Sequence, residues 1–129
     1  MSKVALVVDD SMLIRYSLCR FLEAHGFVVE AAVNGAEAME SLARVRPDLI
    51  VTDMRMPKMS GSEFITALKG KEETSRIPIL VVTSKGNGSC APDERADFVI
   101  YKDIDVEIQL EAALEAVMEN KARGQAAGK

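Results

Sequence analysis

Apolar residues along this chain fall into short unbroken runs that alternate with longer stretches of helical period. VALVV (4–8) is continuous and β-branched, the pattern of a strand covered on both faces. Ser11 follows as a candidate N-cap, after which Ile14, Leu18, Phe21 and Leu22 recur at helical spacing as far as Gly26, a favoured helix stop. The alternation then repeats. FVVEAAV (27–33) reads as a second strand, and Asn34 caps a helix with Ala38, Leu42 and Val45 inward, ended by Pro47 because proline cannot continue it. DLIVTD (48–53) is a third strand, and the loop MRMPKMSG leads to a short helix carrying Phe64, Ile65 and Leu68. IPILVVT (77–83) and ADFVIY (96–101) are the fourth and fifth strands, and residues 105–120 form an amphipathic helix with Leu110, Ala113, Leu114 and Val117 inward. KARGQAAGK at the end reads as a frayed tail, as chain ends often are, which puts the domain at 1–121 and the tail at 122–129.

Strands alternating with helices of this length imply a parallel sheet with right-handed crossovers and helices on both faces. The fold class predicted is α/β, doubly wound. One interval breaks the rhythm: SKGNGSCAPDER (84–95) has no apolar period where a helix should join the fourth and fifth strands. It reads as a loop with at most one helical turn near Pro92, so the fourth helix is expected to be missing or shortened.

With 129 residues, 48% hydrophobic and 28% charged, the chain can bury the core of one ordinary domain. A net charge of −4 argues against nucleic acid or an acidic membrane as partner, since either would call for a clustered basic excess. No apolar run approaches the roughly 20 residues of a membrane span, and MSK before a strand-like run is not a signal peptide. A cytoplasmic location is the expectation. Cys19 and Cys90 lack metal-ligand spacing and are expected as free thiols in a reducing compartment.

The polar residues that end the apolar runs carry the chemistry. The first run ends in Asp9 and Asp10, the third in Asp53, the fourth in Thr83 and the fifth in Lys102. In open α/β sheets ligands bind outside the carboxyl ends of the strands, so with the first strand central these five meet in one crevice. Helix capping is the plainer role for Asp, Ser or Thr after a strand, but capping explains neither the doubled carboxylate nor Lys102. Like charges about 4 Å apart repel by about 4 kcal/mol at an effective dielectric near 20, a cost that a hard divalent cation offsets. Mg²⁺ favours a few carboxylates with water and phosphate oxygens. A carboxylate held near metal, lysine and hydroxyl suits phosphoryl transfer, and Asp53, alone on its strand, is the natural nucleophile.

At these residues the sequence resembles the receiver domains of two-component response regulators: LVVDD, DLIVTDMRMPKMSG, PILVVTS and ADFVIYK occur in family order over nearly the whole chain. The resemblance implies a flavodoxin-like sheet of five parallel strands in the order 2-1-3-4-5. It implies that Asp53 accepts a phosphoryl group from a histidine kinase or phosphotransfer protein. Asp10, Asp53 and the backbone carbonyl of Arg55 would ligate Mg²⁺, with Asp9 holding it through water. Thr83 and Lys102 would each contact a phosphoryl oxygen, small Ser84 would keep the approach open, and Pro57 and Gly61 match the loop after the phosphorylated strand. Arg55 and Lys85 stand where the family tunes the lifetime of the acyl phosphate, or serve as ordinary surface charges.

The chain departs from the family at three places. Lys102 is followed by Asp103 rather than proline, so a trans peptide is expected there. Val99 occupies the position of the family's switch aromatic; Tyr101 shares its strand parity, and a core or edge role is expected for it. The interval 84–95 is the third, expected to order on phosphorylation or partner binding. A pseudo-receiver that docks partners without phosphoryl chemistry is the alternative; a phosphatase is disfavoured because its carboxylates would stand as Asp-x-Asp. Absence of an output domain in the sequence implies action through protein contacts, on an unspecified target, or a fragment of something longer. His25 beside Gly26 suits a helix cap, and Met54, Met56 and Met59 suit gap-filling contacts.

Overall fold

A computed structural model describes residues 3–56, 58–83, 95–102 and 105–127, with side chains as far as Val117. Strands β1 (Lys3–Val8), β2 (Phe27–Ala32), β3 (Leu49–Asp53), β4 (Ile79–Thr83) and β5 (Phe98–Tyr101) form one all-parallel sheet in the order β2-β1-β3-β4-β5. Four helices stand among the described residues: α1 (Met12–Ala24), α2 (Gly35–Leu42), α3 (Gly61–Lys69) and α4 (Val106–Ala127). This is the doubly wound α/β architecture that the apolar pattern predicts, with the flavodoxin-like strand order that the family resemblance implies.

The strand period of two divides the core. Ala5, Val7, Leu49, Val51, Leu80, Val82 and Ile100 point to one face, where Leu18, Phe21 and Leu22 of α1 and Leu110, Ala113, Leu114 and Val117 of α4 cover them. Leu6, Val8, Ile50, Ile79 and Val81 point to the other face, under Ala38 of α2 and Phe64, Ile65 and Leu68 of α3. Burial on both faces is why β1, β3 and β4 read as continuous apolar runs rather than alternating ones. Met54 is buried in the second core, with Met56 and Met59 packed against it, which accounts for all three as packing residues.

Helix starts are set by side-chain caps. Ser11 Oγ accepts from Ile14 N at 3.4 Å and Asn34 Oδ1 from Glu37 N at 2.8 Å, the two caps predicted from sequence. Ser60 and Glu63 form a reciprocal capping box at α3. His25 ends α1, donating from Nδ1 to the Phe21 carbonyl at 2.9 Å, as a cap residue should. Cys19 is a free thiol, and burial pushes it above the ordinary thiol range.

One element differs from expectation. Helix α4 runs on to Ala127, so the tail expected from residue 122 is helical as far as that residue; 118–127 contain no proline and one glycine, and most of the rest are good helix formers. At the other end of the sheet Asp48 and Asp97, each one residue before a strand, close backbone pairs that the pattern does not reveal. Val4 N donates to Asp48 Oδ2 at 2.9 Å and Ile79 N to Asp97 Oδ2 at 2.8 Å. Expectations for Pro57, Ser84, Lys85, Cys90, the missing or shortened helix in 84–94 and the Lys102–Asp103 peptide fall outside the described residues.

Gly61 joins the fold to the site. Its N donates to the Met54 carbonyl at 2.9 Å, so the first turn of α3 lies directly on the loop leaving β3. A Cβ on Gly61 would collide with the Asp53 carbonyl and come within 2.7 Å of Met54 Cα, backbone atoms that cannot yield as a flexible side chain would. Gly61→Ala is therefore expected to destabilise the fold by about 1–3 kcal/mol, read as a lower midpoint in urea unfolding; an unchanged midpoint would show that the backbone shifts freely there.

Candidate functional site

Register brings the polar strand tips together. Val8 lies level with Thr52, so Asp9 and Asp53, one residue further along neighbouring strands, leave the sheet side by side. Asp53 is level with Val82 and Thr83 with Tyr101, which sets Thr83 and Lys102 on the far side of Asp53. Asp9, Asp53 and Lys102 continue the parity of Val7, Val51 and Ile100, toward the face covered by α1 and α4.

Asp9 is fully buried and its backbone is fixed on several sides. Its N donates to the Ala32 carbonyl at 3.1 Å, its carbonyl accepts from Arg15 Nη1 at 2.8 Å, and its Oδ1 accepts from Ser11 N at 2.9 Å. Asp53, 7% exposed, accepts at Oδ1 from Met54 N at 2.8 Å and from Arg55 N at a longer 3.5 Å. Asp10 is exposed. One carboxylate oxygen from each of Asp9, Asp10 and Asp53 lies within 4.8 Å of the others.

Lys102 Nζ bridges two of these carboxylates, 3.2 Å from Asp53 Oδ2 and 3.4 Å from Asp9 Oδ2. The first contact is a hydrogen bond; the second is an ion pair without hydrogen-bond geometry, and Asp9 Oδ2 is the buried side-chain atom that finds no hydrogen-bond partner among the described residues. Burial above all, and then Asp53, push the Asp9 carboxyl above the usual range, against the pull of the Ser11 N–H and the Lys102 ammonium. Among the described residues three clustered carboxylates share one bridging ammonium. That cluster and an Asp9 Oδ2 without a hydrogen bond suit a hard divalent cation with oxygen ligands.

Asp9, Asp10, Asp53, Arg55, Thr83 and Lys102 are thus at or beside this cluster. Thr83 is buried at the tip of β4, its carbonyl accepting from Lys102 N at 2.8 Å. Arg55 is exposed in the loop just after Asp53. Sequence reasoning missed Arg15 and Gln109, which act on backbone atoms: Gln109 holds Tyr101 N and O, each at 2.9 Å. Neither stands at a helix N-cap, where residue type announces a side chain that bonds a peptide group. A cavity of about 260 Å³ between α1, β4 and the start of α4 opens beside Lys102; a larger cleft of about 390 Å³ by Lys3 and His25 includes none of the site carboxylates. Among the described residues no helix is long and apolar enough to cross a membrane.

Comparison with known proteins agrees with this geometry. The family model for the response regulator receiver domain matches residues 5–115. Response regulator MprA of Mycobacterium tuberculosis is 42% identical over 89 residues, which is 69% of this chain and 38% of that protein. The chain therefore spans well under half the length of that relative. Hybrid signal transduction histidine kinase D of Dictyostelium discoideum is 39% identical over 84 residues, 65% of this chain and 5% of the kinase. Among solved structures, chemotaxis response regulator CheY4 of Vibrio cholerae matches with a TM-score of 0.78 at 30% identity, covering 91% of this chain and 99% of its own. The parallel sheet, the clustered strand-tip residues and the match over 5–115 together establish that the chain belongs to the response regulator receiver domain family.

Proposed function

We propose that the chain is a phosphoacceptor in two-component signalling, phosphorylated on Asp53 by a histidine kinase or phosphotransfer protein. The observation that carries this reading is the Lys102 ammonium shared between Asp9 and Asp53 while a third carboxylate stands within 4.8 Å. A purely structural ion pair would match one carboxylate to one cation and leave no buried oxygen without a hydrogen bond, because a buried charge that is not fully hydrogen-bonded is costly.

Asp53 supplies the attacking carboxylate oxygen. A new O–P bond forms as the N–P bond of a phosphohistidine breaks, and the imidazole nitrogen leaves with the electron pair. Lys102 is already 3.2 Å from Asp53, so its charge balances what the phosphoryl group brings. Thr83, at the adjoining strand tip, would offer its hydroxyl to a phosphoryl oxygen. Asp9, Asp10 and Asp53 with the Arg55 carbonyl would hold Mg²⁺, which when bound neutralises charge on the phosphoryl oxygens. A cytoplasmic location, and a signal passed on through protein contacts, go with this reading.

The test is incubation of the full chain with acetyl phosphate and Mg²⁺ and measurement of intact mass. Wild type is expected to gain one phosphoryl group, lost on chelation of the metal beforehand, and Asp53→Ala to gain none. Equal gain in Asp53→Ala sinks the reading, and no gain in wild type turns it toward a pseudo-receiver.

The raised Asp9 carboxyl makes a second outcome predictable. Between the ordinary carboxyl pKa and the raised one, the native state binds more protons than the unfolded chain, so metal-free stability falls as pH rises through that window and stays lower above it. Asp9→Asn keeps an acceptor for Ser11 N and removes the buried charge. It is expected to raise the metal-free melting temperature at pH 7, by roughly 4 °C if about 1 kcal/mol is recovered, and to shrink the extra stabilisation given by Mg²⁺. A metal-free melting temperature at or below that of wild type would contradict the electrostatic account.

A further inference from the structure

Lys102 must aim one ammonium between two carboxylates, yet it is the first residue past a strand of four residues at the sheet's edge. The residue after it is Asp103, not a proline, so nothing in the covalent chemistry on that side restrains its backbone. Among the described residues its backbone is held from the preceding side. The Tyr101–Lys102 peptide is held at both ends: its N–H, from Lys102, donates to the Thr83 carbonyl at 2.8 Å, and its carbonyl, from Tyr101, accepts from Gln109 Nε2 at 2.9 Å.

Gln109 does more than hold that carbonyl. Its Oε1 accepts from Tyr101 N at 2.9 Å, so a single amide pairs with both outward backbone groups of Tyr101, as a neighbouring strand would. No strand lies beyond β5 among the described residues. The second Nε2 hydrogen donates to the Asp105 carbonyl at 3.2 Å, tying the same amide to the start of α4. Only glutamine or asparagine carries donor and acceptor side by side in this way, and Gln109 is half-buried, where such bonds are stronger than in open water.

We infer that Gln109 is a positioning residue for Lys102: it locks the peptide from which the lysine departs, and so sets the ammonium between Asp9 and Asp53. The inference rests on the phosphoacceptor reading for its consequence in rate, and on geometry alone for the clamp. Removing the amide frees the outer side of the 101–102 peptide, lets the ammonium wander from the carboxylates, and lowers the rate at which Asp53 takes a phosphoryl group from a donor.

The experiment follows phosphorylation of the full chain by acetyl phosphate with Mg²⁺, releasing acetate, in wild type, Gln109→Leu, Lys102→Ala and the double variant. Thermal melts check folding, and the Lys102 side-chain ammonium is followed by NMR. Gln109→Leu is expected to slow phosphorylation roughly tenfold at saturating donor with Mg²⁺ affinity unchanged, and to move the Lys102 resonance toward that of solvent-exposed lysines. Added to Lys102→Ala, it should change the rate by less than about twofold, since a residue acting through the lysine has nothing left to position. Gln109→Glu, which keeps the acceptor for Tyr101 N but sets an oxygen against the Tyr101 carbonyl, should also slow the reaction and decides the matter if the leucine variant does not fold. A wild-type rate in either folded variant, or a full loss repeated in the Lys102→Ala background, overturns the inference. If wild type itself gains no phosphoryl group, the phosphoacceptor reading fails separately, and an unmoved Lys102 resonance in Gln109→Leu or Gln109→Glu then overturns the clamp.

Discussion

One ammonium, shared by two carboxylates on adjacent strand tips, is the contact around which the molecule is arranged. Strand order puts β1 beside β3, and register then leaves Asp9 and Asp53 no choice but to face each other. Repulsion between such a pair is on the order of a few kcal/mol, a sizeable part of the 5–15 kcal/mol by which domains of this kind are stable. Lys102 answers it only in part, since its contact with Asp9 Oδ2 at 3.4 Å is not a hydrogen bond. A fold selected for stability alone would replace such a buried cluster with apolar side chains of similar volume. The retained imbalance marks the place where charge is wanted.

Carboxylates at the opposite end of the sheet show what a satisfied arrangement looks like. Asp48 and Asp97 each accept a strand N–H within 2.9 Å and have their own N–H paired with the neighbouring strand. Both stitch one strand to the next through Oδ2. Residue type is the same at both ends; the difference lies in whether oxygens meet N–H groups or each other. Rigidity then does the rest: Gly61 lies on the backbone after Asp53, Ser11 and Arg15 fix Asp9 from the α1 side, and the acidic groups cannot move apart to relieve their repulsion.

Much of this is legible in the sequence because it depends on periodicity and on residues that break it. The strands announce themselves as runs such as LIV at 49–51, buried on both faces, and the site residues as polar groups ending those runs. What stayed hidden depends on side chains bonded to peptide groups. Gln109 sits in an amphipathic helix one residue before buried Leu110 and looks like any polar flank. Asp48 and Asp97 look like loop residues, and Glu63 like a surface charge until Ser60 is seen opposite it. The extent of α4 was hidden for another reason: its apolar period ends near Val117 while helix-favouring residues continue, so packing and propensity give different ends.

A lysine at the end of an edge strand can be aimed in two ways. Restraint on its following peptide would act through the backbone itself, by proline. Restraint on its preceding peptide must come from neighbours on both sides of the strand, because an edge has a partner on one side only. Here Thr83 supplies the inner bond and Gln109 the outer one, so the residue proposed to bond a phosphoryl oxygen and a residue of α4 grip the same peptide unit. Any displacement of Lys102 toward a newly arrived charge would therefore be felt by β4 and by the first turn of α4, since among the described residues those are the elements that hold its backbone in place.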